Sequence, residues 1–251
     1  MATTASTSVS HPAGRRRFLL VVDSDVEKLF HTATLLQRFQ YNLWTAKSAA
    51  EALEMAAVAV PALIITAQFL DDLPGLEFIR QLKRIRKLGA VPIVVLTRKT
   101  DPADERDCLF AGALTCLSMP VQAEDLYRVV QVAVEPLPRM NIRINTKLSV
   151  TVNDQTVQCV EGECASVLSE HGLYVRTLDP HPLNTKLPVQ VNLAGKNIAA
   201  DTVVIYSHQA GEDPQDEPGM GLQFTEISRE DQMRIRRFIR DEITRDIDVR
   251  L

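Results

Sequence analysis

The stretch Phe18-Leu19-Leu20-Val21-Val22-Asp23-Ser24-Asp25 decides the architecture of the first half of the chain. Its first five residues are all apolar, as in a parallel strand that is covered on both faces. Behind it, apolar residues recur at helical spacing and predict a helix with one buried face, made of Val26, Phe30, Ala33, Leu36 and Phe39. A strand followed by a helix is the unit from which α/β sheets are built.

The same unit repeats along the chain up to residue 134. Apolar runs predict further strands at 41–46, 62–65, 91–96 and 114–117. The segments between and after them predict helices at 49–58, 76–88, 102–111 and 123–134. Five strand–helix units in succession predict an α/β fold, a doubly wound (βα)5 sandwich with right-handed crossovers.

The pattern changes after a short segment in which Pro136 and Pro138 prevent helix continuation and predict a stiff hinge. Beyond it, short alternating runs, one of them at 157–159, predict a small antiparallel β-barrel. Ser228 then predicts the start of a C-terminal helix. The expected organisation is a disordered tail at 1–16, a domain at 17–134, the hinge at 135–138 and a domain at 139–251, with a polar loop at 211–219.

Composition excludes several classes of function. The 251 residues carry a formal net charge of −4, which argues against a general nucleic-acid binder because such proteins are usually strongly basic. No apolar run approaches the ~20 residues of a membrane span, and no signal-peptide core is present, so we expect a cytoplasmic protein. The four cysteines form no CxxC pair, so we expect no metal and no other cofactor, with Cys116 and Cys159 as buried thiols.

Several landmarks within 17–134 resemble the receiver domain of bacterial response regulators. They are Val21-Val22-Asp23 at the end of the first strand, Leu76-Glu77-Phe78 at the start of the third helix, Thr97 after the fourth strand and Ser118-Met119-Pro120 after the fifth. The resemblance implies a site where an aspartate accepts a phosphoryl group beside a Mg²⁺ ion held by carboxylates.

The residues that carry this receiver chemistry are mostly replaced. Ala67 falls at the phosphoacceptor position, Met119 replaces the lysine that senses the acyl phosphate, and Cys116 stands where a switching Tyr or Phe usually lies. Asp23 and Asp25 remain, but two carboxylates make a weak metal site, and we interpret them as solvated loop and helix-cap residues. By resemblance, this domain is a phosphorylation-independent interaction module that could form a homodimer.

Two short motifs lie in the second domain, one at its start and one about 26 residues further along the chain. The first is Arg139-Met140-Asn141-Ile142-Arg143, and the second is Ser169-Glu170-His171-Gly172. Together they resemble the signature of a PilZ domain, RxxxR followed by (D/N)xSxxG, which implies a receptor for cyclic di-GMP. The resemblance assigns ligand binding to Arg139, Arg143, Ser169 and Gly172. Arginine suits this ligand, because its planar fork grips a phosphate or the O6/N7 edge of guanine.

One position departs from that signature. Val167 stands where the pattern has Asp or Asn, and it has no side-chain acceptor for the guanine N1 and N2 groups. If those donors were buried unpaired, the loss would be ~1–3 kcal/mol per group. In the other interpretation, Arg139 and Arg143 form a solvated basic strip, and the segment from Ser169 to Gly172 is an ordinary turn.

The leading hypothesis is a non-enzymatic signalling protein in which cyclic di-GMP changes the affinity for a protein partner. The family resemblance suggests motility, polarity or exopolysaccharide control as the output. The alternative is a ligand-independent scaffold. Ala67 and Met119 depart from the receiver pattern, and Val167 departs from the PilZ signature. No nucleophile–base pair or phosphate-binding glycine loop indicates an enzyme.

Overall fold

The computed structural model describes residues 18–98, 102–139, 141–153, 155–156, 165–209 and 218–245. They fall into two compact units. The first unit contains the described residues up to 33 together with 40–119, and the second contains 34–39 together with the described residues from 120 onward.

The first unit is built on a parallel five-stranded sheet. Its strands are β1 (Phe18–Val22), β2 (Asn42–Ala46), β3 (Leu63–Ala67), β4 (Ile93–Thr97) and β5 (Thr115–Ser118), in the order β2-β1-β3-β4-β5. The helices between and after them are α1 (Val26–Arg38), α2 (Ala49–Val58), α3 (Gly75–Arg84), α4 (Pro102–Ala111) and α5 (Ala123–Val134), of which α5 and the end of α1 count with the second unit. This strand order is doubly wound, and the predicted α/β class is confirmed.

The core of this unit confirms that its central strands are covered on both faces. Every residue of β1, β3 and β4 is buried, as the unbroken apolar runs predict. The predicted face of α1 is only partly correct, because Val26 and Phe30 are 57% and 66% exposed. Ala33, Leu36 and Phe39 are buried as predicted, and Leu29 and Leu35 are buried as well. Helical spacing identified the helix, but two of the residues chosen for its buried face lie on the solvent side.

Helix α3 is shorter than its apolar spacing predicts. It ends at Arg84, and Ile85 already has an extended backbone with φ −78° and ψ 114°. Leu88 is buried in the core, but it reaches the core from the loop after the helix. The apolar spacing of the helix therefore continues by coincidence through Ile85 to Leu88, in a loop whose last apolar side chain packs into the core.

The second unit contains an antiparallel eight-stranded sheet. Its strands are β6 (Arg143–Leu148), β7 (Val150–Val152), β8 (Gln155–Thr156), β9 (Ala165–Ser169), β10 (Gly172–Arg176), β11 (Lys186–Leu193), β12 (Lys196–His208) and β13 (Gly219–Ile227). They are hydrogen-bonded in the order β6-β9-β10-β13-β12-β11-β7-β8. The sheet curls, since β6 at one end also approaches β11. A curled antiparallel sheet with a helix after it confirms the predicted class of the second half of the chain.

Alternation along the strands separates the inside of this sheet from its outer face. In β11 each exposed residue is followed by a buried one over all eight residues. Helix α6 (Arg229–Thr244) begins after Ser228, whose hydroxyl accepts a hydrogen bond from the Asp231 amide at 3.0 Å, as predicted. Its buried residues Ile235, Ile239 and Ile243 form one stripe, and the helix packs on β6 and β9. The helix therefore covers the strands that carry the two motifs.

Some expectations fall on other parts of the chain. The tail at 1–16, the strand predicted at 157–159 with Cys159, Met140 and the loop residues 211–217 lie outside the described residues. The other predicted thiol, Cys116, is buried in the first unit.

Candidate functional site

The strand register of the second unit brings three of the predicted ligand-binding residues together. Arg143 is the first residue of β6 and pairs with Ser169, the last residue of β9. A two-residue turn then returns the chain to Gly172, which pairs with Ser169 from the other side. Arg143, Ser169 and Gly172 thus occupy adjacent positions across three neighbouring strands. We call this set the arginine–serine row.

Arg139 lies in the irregular segment just before β6. Its backbone N–H donates a hydrogen bond to the side-chain Oε1 of Gln131 at 2.8 Å, and Gln131 itself is buried. The side chains of Arg139 and Arg143 are both exposed. A backbone anchored by a buried amide and two outward guanidinium groups is an arrangement that can receive an anion from solvent.

The turn between Ser169 and Gly172 is held by its own residues. The Ser169 hydroxyl donates a hydrogen bond to the Gly172 carbonyl oxygen at 3.1 Å. Gly172 is buried, and a Cβ at this position would lie 2.2 Å from the Leu222 carbonyl oxygen of β13. Close strand packing therefore requires glycine at position 172 whether or not a ligand binds nearby.

Val167 is half-buried on the outer face of β9, with a polar neighbour beside it. It pairs with Asn145 of β6 on one side and with Tyr174 of β10 on the other. Asn145 is exposed and stands two residues after Arg143, so both side chains point to the outer face. Directly paired side chains have Cβ atoms about 5 Å apart. An amide group therefore stands next to the position where Val167 lacks one.

A cavity of about 440 Å³ opens beside the same turn, within the second unit. It is lined by residues of both motifs and of two helices: Ala123, Glu124, Arg128, Asn141, Ile142, Glu170, His171, Arg236, Ile239, Arg240 and Ile243. Arg236 forms an ion pair with Glu170, and the Arg240 Nε lies 3.1 Å from Glu124 Oε1. The third arginine of the lining, Arg128, lies 4.0 Å from the Asp125 carboxylate, so each lining arginine has an acidic neighbour.

In the first unit, a second group of predicted residues meets at the carboxyl ends of the parallel strands. Asp23 follows β1, Ala67 ends β3 and Thr97 ends β4. The backbone N–H of Met119 donates to the Thr97 carbonyl oxygen at 2.7 Å. The Thr97 hydroxyl is buried and has no hydrogen-bond partner among the described residues. The edge is where α/β sheets place their sites, but the side chain at its centre is the methyl group of Ala67.

The carboxylates near this edge have structural partners. Asp25 Oδ1 accepts the N–H groups of Glu27 and Lys28 at 3.1 Å and 3.3 Å, which confirms the predicted helix cap on α1. The Lys28 ammonium hydrogen-bonds the same carboxylate and lowers its pKa. Asp72 caps α2 by accepting the N–H groups of Ala49 and Ala50 at 3.0 Å and 2.9 Å. Burial raises the pKa of Asp72, but these hydrogen bonds outweigh it, and the net shift is downward.

Asp23 is the exception, and the expectation that it is solvated is wrong. Only 5% of it is exposed. Burial raises the pKa of its carboxyl group, while a 2.9 Å hydrogen bond from the Asp25 N–H and the charges of Lys28 and Arg98 act against that rise. In the described part of the chain no three His, Cys, Asp or Glu side chains converge as metal ligands. The carboxylates present do not fit the Mg²⁺ site of a phosphorylated receiver.

Comparison with protein families assigns both halves of the chain. Residues 19–131 match the model of the response regulator receiver domain, and residues 138–241 match the model of the PilZ domain. The chain carries a receiver domain followed by a PilZ domain. Both are signalling domains without catalytic activity of their own, and a PilZ domain implies binding of cyclic di-GMP. The arginine–serine row lies in the PilZ domain, and the carboxyl ends of the parallel strands, with Ala67 at their centre, lie in the receiver domain.

The curated relatives match through the receiver domain. The chain is 29% identical over 112 residues to the two-component response regulator ORR7 of Oryza sativa, covering 44% of this chain and 53% of that protein. It is 31% identical over 114 residues to ORR6 of the same species, covering 44% and 66%. The chain thus spans about half to two thirds of the length of these relatives. A response regulator structure from Chloroflexus aurantiacus is 25% identical, with 47% of this chain and 98% of that chain covered and a TM-score of 0.46.

Every helix among the described residues is too short or too polar to cross a lipid bilayer.

The sequence motifs did not reveal the two outward tyrosines of the PilZ domain, Tyr174 and Tyr206, which lie beside the arginine–serine row. A signal was present in Gly219-Met220-Gly221-Leu222, where two glycines alternate with two apolar residues. In a strand this pattern places both glycines on one face, where a neighbouring group approaches the backbone closely.

Proposed function

We propose that the protein is a non-enzymatic signalling effector that responds to cyclic di-GMP. The PilZ domain binds the ligand through Arg139, Arg143, Ser169 and Gly172, and the receiver domain acts without phosphorylation. The observation that carries this proposal is the strand register, which sets Arg143, Ser169 and Gly172 side by side on one outer face. The competing interpretation as an unrelated basic strip and a turn does not account for that alignment.

The chemistry of the row suits a cyclic dinucleotide. The ligand presents two phosphates and two guanines, and each guanidinium group can make two parallel hydrogen bonds to a phosphate or to a guanine edge. Arg139 precedes the first strand, and Arg143 begins it, so the two side chains can grip the ligand from different directions. The cavity beside the turn falls in the size range of small-molecule sites and adds room for the ligand.

Asn145 offers the acceptor that Val167 lacks. Its amide oxygen can take a hydrogen bond from guanine N1 or N2, because it stands directly across from Val167 and on the same face as Arg143. In this proposal the departure at 167 is compensated from the neighbouring strand, and affinity for cyclic di-GMP is retained.

The hinge predicted at 135–138 lies between α5 and Arg139, which follows it directly in the chain. A ligand bound by the Arg139 side chain would restrict this segment and favour one subset of its conformations. The output we propose is altered affinity for a protein partner in the cytoplasm, in control of motility, polarity or exopolysaccharide. The domain bounds 17–134 and 139–251 and a homodimer through the receiver belong to the same proposal.

Calorimetric titration with cyclic di-GMP tests the binding step. We expect micromolar or tighter binding to the full chain and about 100-fold weaker binding to Arg143→Ala, because a charged hydrogen-bond pair contributes ~1.5–3 kcal/mol. Arg237→Ala is the matched control, since Arg237 is an exposed arginine on α6. Equal affinity of the wild type and Arg143→Ala would refute the assignment of the site, and absence of heat would refute the receptor.

One observation favours a second candidate, a scaffold that works without ligand. Ala67, Met119 and Val167 remove polar groups at three positions in both domains. A scaffold would bind its protein partner equally well with and without cyclic di-GMP, and equally well as Arg143→Ala. Once a protein partner has been identified, its dissociation constant with cyclic di-GMP, without it and for Arg143→Ala distinguishes the two candidates.

A further inference from the structure

Two tyrosines lie side by side on the outer face of the PilZ domain. Tyr174 in β10 and Tyr206 in β12 pair with the same residue, Gly221 of the intervening strand β13. Their ring centroids are 5.9 Å apart, and the ring planes differ by only 18°. Both side chains are half-exposed. We call this pair the tyrosine platform.

The glycines of β13 allow the rings to lie over the backbone. A Cβ at Gly221 would be 2.2 Å from Cζ of the Tyr206 ring, and one at Gly219 would be 2.8 Å from Cζ of Tyr174. Real side chains do not approach so closely, so any larger residue would push the rings away from the sheet. With one face of each ring against the strand, the opposite faces form a nearly continuous aromatic surface.

The surroundings of the platform are basic or neutral. On one side lies the arginine–serine row, since Arg143 and Ser169 stand two residues along their strands from Asn145 and Val167, which are in register with Tyr174. On the other side, Arg176 and His208 both pair with Gly219, and the His208 ring lies 6.0 Å from that of Tyr206. None of the described residues in these three rows is acidic.

We propose that the tyrosine platform is a stacking site for the purine base of a nucleotide whose phosphate is held by the neighbouring arginines. Aromatic side chains commonly bind nucleobases in this way, because every base has a π-face. A flat aromatic surface beside cationic side chains complements a ligand that is planar at one end and anionic at the other. This inference rests on the proposed function, and it extends the site from the arginine–serine row along the same outer face of the sheet.

Nuclear magnetic resonance of the full chain with labelled tyrosine rings tests the platform directly. The chain has four tyrosines, and Tyr41 of the receiver serves as an internal control. We expect the ring signals of Tyr174 and Tyr206 to shift saturably with cyclic di-GMP and with GMP, while those of Tyr41 stay in place. By calorimetry, Tyr206→Leu should weaken cyclic di-GMP binding about 10-fold, and Tyr206→Phe should stay within about 2-fold of the wild type.

The outcomes separate this inference from the proposed function. Arg143-dependent binding of cyclic di-GMP without a shift of Tyr174 or Tyr206 would overturn the platform and leave the receptor intact. Shifts of both rings with GMP, without Arg143-dependent heat from cyclic di-GMP, would support the platform and refute the proposed receptor. If neither nucleotide moves the rings or produces heat, both are wrong. Because the ring measurement uses the wild type, it does not depend on the folding of a variant.

Discussion

The carboxyl edge of the receiver sheet and the outer face of the PilZ sheet differ in what their polar groups contact. At the receiver edge, Asp25 and Asp72 accept backbone N–H groups at the starts of α1 and α2. On the PilZ face, Arg139, Arg143 and Asn145 are exposed to solvent. The first region uses its charges within the fold, and the second presents them outward.

Under the proposed function, the two domains of this chain are not equally equipped to bind a ligand. A receiver edge needs several carboxylates around a cation, whereas here β3 ends in the methyl group of Ala67, and Asp25 and Asp72 cap helices. The nucleotide face that we propose needs outward cations and flat surfaces in register. Arg143 and Ser169 are paired in a chain that has Val167.

The largest expected contrast concerns reactivity with a phosphoryl donor. After incubation with acetyl phosphate and Mg²⁺, we expect no phosphoryl adduct on the full chain, because the third strand ends in Ala67 rather than in a carboxylate nucleophile. Intact-mass spectrometry measures the adduct, with an aspartate-containing receiver domain as the positive control. A phosphorylated Asp23, Asp25 or Asp71 would contradict this prediction and restore phosphotransfer to the receiver.

A smaller effect is expected for the amide beside Val167. Asn145→Ala should weaken cyclic di-GMP binding about 10-fold, which corresponds to ~1.4 kcal/mol, because a guanine donor loses its acceptor. Val167→Asn should recover affinity in the Asn145→Ala background more than in the wild type, which a double-mutant cycle measured by calorimetry would show as coupling.

Asn197→Ala is the matched control for this cycle, since Asn197 is another exposed asparagine of the same sheet. Additive effects of the two substitutions at 145 and 167 would show that the two positions act separately. The compensation by Asn145 would then be wrong even if the protein binds the ligand.

The smallest effect concerns the buried charge at the receiver edge. Burial raises the pKa of Asp23 on folding, so the protonated carboxyl group favours the folded state. This contribution to the free energy of unfolding is fully present below the unfolded pKa, and it is lost as the pH rises through the folded pKa. At pH 7 the buried carboxylate therefore costs stability. Asp23→Asn should stabilise the receiver by on the order of 1 kcal/mol, or about 4 °C in Tm, and this gain should shrink as the pH is lowered.

Asp25→Asn provides the opposite case, since the pKa of Asp25 is lowered by its Lys28 partner. Its stabilising effect is present above its unfolded pKa and is lost as pH falls through its folded pKa.

Trp44 is the only tryptophan and lies in β2, so its fluorescence follows unfolding of the receiver. A destabilised Asp23→Asn at pH 7 would show that Lys28 and Arg98 outweigh the burial of this carboxylate.

Local patterns were sufficient for most elements of the receiver. The predicted helices at 49–58, 102–111 and 123–134 agree with the observed bounds, because apolar spacing and capping act within a few residues. The errors arise where tertiary packing decides. Val26 and Phe30 follow the helical period but face solvent, and Asp23 looks like a loop residue but is buried at the end of a central strand.

The amino-acid sequence by itself determined the two fold classes and the two motifs, since the helical and strand periods and the residues of RxxxR and SxxG are local properties of the chain. Only the tertiary structure decided which of those residues meet. The pairing of Arg143 with Ser169 and of Asn145 with Val167, and the meeting of Tyr174 and Tyr206 over Gly221, depend on strand register between distant segments. Register follows from which side chains the whole sheet can bury on its inner face, and that choice involves every strand at once.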